Sequence, residues 1–183
     1  MPGPIDSSQI VSCRCGQVEL RMTGAPIITS CCFCDSCRTA GRTLEHLPGA
    51  PAVLTPDGGT DFVLMRKNGV ECLCGSELLA GYRLKPASAT RRIVATCCNS
   101  YMFLDFTPGH WVSVVRNLLP PSTRPPVEVY MMLGDLPEGV VPAGDVPRAK
   151  RLPFRFMRKL LLSWAGMGFR RPKIDFVTRP LDS

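Results

Sequence analysis

Four cysteines fall within seven residues, Cys31-Cys32-Phe33-Cys34-Asp35-Ser36-Cys37, and Arg38 follows them. Cys32, Cys34 and Cys37 form a C-x-C-x-x-C run. Thiolates at these offsets can converge on one soft cation, for which zinc is the default occupant. Two further clusters stand apart from this one: Cys13-Arg14-Cys15-Gly16 near the start and Cys97-Cys98-Asn99-Ser100 past the middle. Three separated clusters constrain the fold strongly, because they imply a domain whose strands are drawn together around metal.

Ten cysteines in a chain of 183 residues would also suit a disulfide framework in a secreted protein. The opening residues, Met1-Pro2-Gly3-Pro4-Ile5-Asp6, have neither a basic start nor an apolar run, which reads as no secretory leader. No stretch reaches the length of a transmembrane helix. Together with the tight C-x-C and C-x-x-C spacings, this favours metal ligation in a reducing cytoplasm over disulfides. Hydrophobic residues at 45% and charged residues at 20% give a globular balance, and 18 prolines with 16 glycines imply many turns and short elements.

The alternation in Gln17–Met22 reads as a strand within residues 9–22. Cys13 and Cys15 lie two apart, so on a strand both point to one face, and Gly16 allows a turn beside them. Ile27–Ser30 leads as a short strand into the central cluster. Residues 36–47 fit a short helix with Ser36 as its cap, whose positive end would face the thiolates. Residues 48–60 are a Pro/Gly loop. Strands are expected at 61–65, 78–84, 91–96, 101–106 and 111–115, and Cys72-Leu73-Cys74-Gly75 echoes the first motif. Adjacent strand residues point to opposite faces, so one of Cys97 and Cys98 is expected to serve a given metal. The fold class is mainly β.

The order of these motifs resembles the glutathione-dependent formaldehyde-activating enzyme family, which also contains centromere protein V. Cys13-x-Cys15-Gly16 and Cys32-x-Cys34-x-x-Cys37-Arg38 match its first two motifs, over a likeness that spans roughly residues 9–120. The third departs: where the family shows Arg-x-Phe-Cys-x-x-Cys-Gly-Ser, this chain has Arg92-Ile93-Val94-Ala95-Thr96-Cys97-Cys98-Asn99-Ser100, as in a divergent branch. The resemblance implies a β-tent fold with two zinc sites. One would be structural, with Cys13, Cys15 and Cys98 as ligands. Ala95 replaces its fourth cysteine, and Cys97, or else Cys72 or Cys74, is the substitute. The other maps to Cys32, Cys34 and Cys37. In the family it is linked to joining formaldehyde and glutathione, a carbon–sulfur lyase activity. Three thiolates leave zinc one open position for a substrate thiol or water; alternatively Cys31 or a neighbour closes the site and it is structural. Arg38 and Arg92 are the candidates for meeting an acidic substrate such as a glutathione carboxylate, with a solvated strand end as the plainer reading of Arg91 and Arg92. His46 and His110 lie outside the metal motifs, and His110, in Pro108-Gly109-His110-Trp111, reads as a loop residue rather than a ligand.

The formal charge of +7 is unevenly spread. Residues 1–147 carry a net charge of −1 and residues 148–183 a net charge of +8. The expected organisation is therefore a zinc-binding β domain over 1–135, a Pro/Gly-rich linker over 136–147 and a basic helical tail over 148–183. Phe154, Met157, Leu161 and Trp164 recur at helical spacing among arginines, which gives a basic amphipathic helix ending near Gly166 or Gly168. Its apolar stripe is expected to pack on the domain, on a second copy, or on an anionic surface. The near-neutral domain argues against specific nucleic-acid recognition. Two functions remain open: a lyase acting on adducts of glutathione or another small thiol, or a non-catalytic zinc-stabilised module that uses its tail for a partner.

Overall fold

A computed structural model of the protein describes residues 8–181. Among them are eleven strands and two α-helices. The strands are β1 (Gln9–Ser12), β2 (Glu19–Met22), β3 (Ile28–Cys32), β4 (Thr60–Arg66), β5 (Val70–Cys74), β6 (Leu79–Tyr82), β7 (Thr90–Ala95), β8 (Ser100–Phe106), β9 (Trp111–Val115), β10 (Val129–Met131) and β11 (Arg179–Pro180). The helices are α1 (Asp35–Glu45) and α2 (Phe154–Gly166). The fold is mainly β, with a basic helix towards the C-terminal end. Among the described residues no helix is long and apolar enough to cross a membrane.

An eight-stranded sheet, ordered β10-β3-β4-β9-β8-β7-β6-β11, forms the middle layer, and a three-stranded sheet, β1-β2-β5, is separate from it. The period-2 alternation of β4 explains how the layers meet. Val63 and Met65 face one core with Val11, Leu20 and Met22 of the small sheet. Phe62 and Leu64 face the other, with Cys37 and Leu44 of α1 and Phe156 and Leu160 of α2. The large sheet is thus buried on both faces, the small sheet covering one and the helices the other.

Fully buried charge fastens one end of this arrangement. Lys67 Nζ and Arg91 Nη2 lie 2.8 and 2.7 Å from the two carboxylate oxygens of Asp105, whose side chain is 1% exposed. Lys67 also donates to the carbonyls of Phe106 and Thr107. Arg91 is therefore not a solvated strand end. Its remaining N–H groups donate to the carbonyls of Ile174 and Val177, tying the C-terminal segment to β7.

The C-terminal segment is woven into the fold. The Tyr130 N–H of β10 donates to Pro147 O and the Tyr130 carbonyl accepts from the Ala149 N–H, Ile174 and Val177 enter the core under the small sheet, and β11 pairs in parallel with β6. The face that α2 buries is not the stripe expected from the sequence. Phe156, Leu160 and Ser163 are inside, whereas Phe154 is 82% exposed and Met157 and Leu161 are also exposed. Small Ser163 permits the close approach and its hydroxyl accepts a hydrogen bond from Arg66 Nε at 3.0 Å. Trp164 alone of the expected stripe is covered, by the stacked ring of His110 and by Arg171.

Two outcomes follow from this packing. Asp105→Ala leaves Lys67 buried without a counter-charge and should cost about 3–5 kcal/mol in chemical denaturation. Phe156→Ala should cost about 3 kcal/mol, and Phe154→Ala under about 0.5 kcal/mol; the reverse order in thermal melts would put the other face of α2 inside.

Candidate metal centres

Two hairpin turns deliver the first group of thiols. Between β1 and β2 the chain turns back at Cys13–Val18, closed by Cys13 N–H to Val18 O and Gly16 N–H to Cys13 O, both 3.0 Å. Gly16 sits at φ 78°, in the left-handed region that glycine enters without penalty. Between β7 and β8 the turn is Thr96–Asn99. Asn99, where the resembled family has glycine, has φ 53°, and asparagine is among the few other residues that tolerate it. The Arg14 N–H donates to Ser100 Oγ at 3.0 Å and joins the two turns.

The four sulfurs of Cys13, Cys15, Cys97 and Cys98 all lie within 4.8 Å of one another. Individual separations are 3.5 Å for Cys13–Cys15, 3.8 Å for Cys13–Cys97, 3.3 Å for Cys15–Cys97 and 3.9 Å for Cys97–Cys98. A tetrahedron of sulfurs about 2.3 Å from zinc has edges of about 3.8 Å, so the group fits a tetrahedral thiolate-bound metal. The group contains both Cys97 and Cys98: the strand-face rule expected one of them, while the resemblance offered Cys97 as the substitute fourth ligand beside Cys98. The opposite-face rule holds for strands, and these two residues lie in a turn. Cys72 and Cys74, on β5, stand outside this group, and Ala95 is buried in the core beside it. Burial pushes the Cys98 thiol up, but hydrogen bonds from Ser100 and from the Cys15 backbone outweigh it and bring it to about 6.

The second group is built at the junction of β3 and α1, on the other face of the large sheet. Cys32, Cys34 and Cys37 place their sulfurs within 4.8 Å of one another. β3 is buried along its whole length and paired on both sides, with β4 and with β10, so the motif emerges from the end of a strand held on both sides. Cys34, not Ser36, is the N-cap of α1, and its sulfur accepts from the Cys37 N–H at 3.4 Å. Hydrogen bonds from Cys32 and Cys37 hold the Cys34 thiol far below its ordinary value, at about 3, and the charge of Arg92 adds to the effect. The same contact with Cys34 pushes Cys32 up to about 12. The contacts with Cys32 and Cys34, together with burial, push Cys37 up as well, so the three sulfurs share one negative charge, centred on Cys34.

Cys31 is not part of this group. Alternation along β3 turns it to the opposite face, opposite Asp61, where burial raises its pKa strongly. Arg38 is held at the rim: its Nη1 donates to Asp135 O at 3.0 Å and lies 3.6 Å from Asp35. Arg92 lies beneath the Cys34–Cys37 turn, its Nη2 donating to Ser36 O at 3.1 Å and to Ser36 Oγ at 2.6 Å. Tyr101, which no sequence signal marked, is buried in the same core cluster as Cys32 and Cys37. An open cleft of about 640 Å³, lined by Asp35, Ser36, Thr39, Leu84, Lys85, Ala87 and Ser88, borders the Cys34–Cys37 turn.

Against known proteins, residues 9–47 match the family described as glutathione-dependent formaldehyde-activating enzyme. No curated protein matches the chain significantly. The crystal structure of a Rhodobacter sphaeroides protein is similar to it, with a TM-score of 0.45 and 18% identity over 76% of this chain and 98% of that one. The family match takes in all of the three-sulfur group and only one hairpin of the four-sulfur group, ending before Cys97 and Cys98.

Proposed function

We propose that both groups hold zinc, that the four-sulfur centre is structural, and that the three-sulfur centre acts on adducts of a small thiol with a carbonyl compound, of the S-hydroxymethylglutathione type. The observation that carries this reading is the unequal sulfur count of the two groups. Four cysteines complete a tetrahedral zinc, whereas three leave one position for an outside ligand. Zinc at Cys32, Cys34 and Cys37 would lower the pKa of a thiol taking that position. The chemistry is then simple. A C–S bond forms between the thiolate sulfur and the carbonyl carbon, and the carbonyl oxygen takes up the proton that the thiol gave up. The reverse, lyase direction breaks the same bond.

The chain's own residues support a thiol of peptide character. The cleft beside the Cys34–Cys37 turn offers the Lys85 amine and the hydroxyls of Ser36, Thr39 and Ser88, groups that suit carboxylates and amides. Arg38, fixed by Asp35 and Asp135, adds positive charge at the rim. The cytoplasmic setting proposed from the sequence would supply such a thiol in reduced form.

A second reading, a zinc-stabilised module without catalysis, is favoured by one observation: α2 leaves Phe154, Leu161 and Leu162 exposed within a segment of strong positive charge. The two readings share the metal and differ in whether the three-sulfur centre takes a thiol.

Elemental analysis of the purified protein should give two zinc ions per chain, released in two steps by a chelator. Cys13→Ser should lower the melting temperature sharply, because it unties turns far apart in sequence. Cys34→Ser should keep most of the fold and one zinc while losing the heat of glutathione binding in calorimetry. Equal loss of thermal stability in the two variants, or unchanged glutathione binding by Cys34→Ser, would defeat the assignment of roles.

A further inference from the structure

Arg92 is 1% exposed, and a guanidinium cannot shed its proton to escape burial. Such a charge needs a counter-charge, or its desolvation goes uncompensated. Yet among the described residues Arg92 has no carboxylate within ion-pairing distance. Its Nη2 reaches Ser36, while Nε and Nη1 are buried without a partner. Tyr101 Oη is also buried and without a partner. Three unmet donor atoms on two neighbouring side chains in one buried place are what an anion site looks like before its anion is in position.

The anion is close at hand. Ser36 lies between Cys34 and Cys37, so the guanidinium sits directly under the C-x-x-C turn. Alternation along β7 puts Arg92 on the same face as Val94, and Val94 pairs with Tyr101. That face is the one carrying Cys32 and Cys37. Three thiolates around a divalent cation leave one net negative charge, which one arginine cancels. The four-sulfur centre carries more negative charge, but Cys15 is exposed and Cys97 and Cys98 are half-buried. Water screens that centre, and it needs no buried arginine.

We propose that Arg92 is the built-in counter-ion of the Cys32/Cys34/Cys37 metal centre, with Tyr101 as a neutral donor beside it. This rests on the reading that the three cysteines hold a divalent metal with an outside fourth ligand. Arg92 is then a positioning residue that acts through the thiolates. It also sets what the open position accepts. With Arg92 present, a neutral ligand leaves the buried site neutral and a thiolate leaves it with a single negative charge. Without Arg92, a thiolate would leave two, so the arginine lowers the cost of admitting an anionic sulfur ligand.

The test uses the full chain with Arg92→Met and Arg92→Lys, and reads zinc affinity by chelator competition together with thermal stability with and without metal. Arg92→Met should weaken one of the two zinc steps by about 10–100-fold and leave the other unchanged. Its metal-free form should melt no lower than the metal-free wild type, because an uncompensated buried charge has gone, while its zinc-loaded form should melt lower. Arg92→Lys, which keeps the charge, should recover most of the affinity. If the arginine serves only to hydrogen-bond Ser36, Arg92→Met will lower both melting temperatures alike and leave both zinc steps intact, and the proposal fails. Should Arg92→Met not fold, Arg92→Lys decides alone: retained affinity supports the counter-ion, lost affinity overturns it. A wild-type protein showing a single zinc step would instead remove the metal reading from the three-cysteine site, and the counter-ion with it.

Discussion

Crowded sulfur is the constraint on which the structure turns. Four thiol sulfurs within 4.8 Å repel one another as thiolates and gain little as thiols, so their convergence makes sense around a shared cation. The geometric effect is a clasp. The small sheet has only three strands, and two-stranded or three-stranded pieces of this length hold together weakly in water. The clasp joins its β1–β2 turn to the β7–β8 turn of the large sheet, across more than eighty residues of sequence. The apolar layer between Val11, Leu20, Ile93 and Phe103 is then closed at its rim by the four-sulfur group rather than by further hydrophobic contact.

The large sheet divides the molecule electrostatically as well as sterically. On one face, the four-sulfur group stands partly in water, where solvent offsets its charge. On the other, the three-sulfur group is covered by α1, β10 and the core around Tyr101, and charge must be balanced within the protein. The same logic governs Asp105, which is buried with two cations because neither Lys67 nor Arg91 could be enclosed alone. Asp105 is thus met in kind, whereas Arg92 has no carboxylate beside it among the described residues.

The cysteine clusters and the strands were legible in the sequence because both signals are local: a C-x-C spacing and a period of two survive without knowledge of the fold. Strand β9 at 111–115 and the helix after Cys34 stood where expected. The pairing of Cys97 with Cys98 in one group was missed by the strand-face rule, which does not apply in a turn, and was offered only by the family resemblance, in which Cys97 stands in for the cysteine absent at Ala95. The buried face of α2 was also missed. Spacing alone offers two stripes, Phe154-Met157-Leu161 and Phe156-Leu160-Ser163, and the polar Ser163 hides the second, which wins because a small residue lets the helix approach Arg66. Arg92 and Tyr101 could not have been placed from spacing, since what matters is which face of β7 and β8 meets α1, and that is a property of the assembled sheet.

Strand β11 has a consequence for how the chain reaches this state. It covers the outer edge of β6, and its Arg179 donates to Leu79, 100 residues earlier. An edge left bare offers its unpaired amides and carbonyls to any other chain. At synthesis rates of about 5–20 residues per second, β6 waits roughly 5–20 s for its cover. During that interval the nascent chain presents an open β-edge. The β6 edge thus stays open until the segment Ile174–Pro180 folds back and Arg179–Pro180 pairs with Ala80–Gly81.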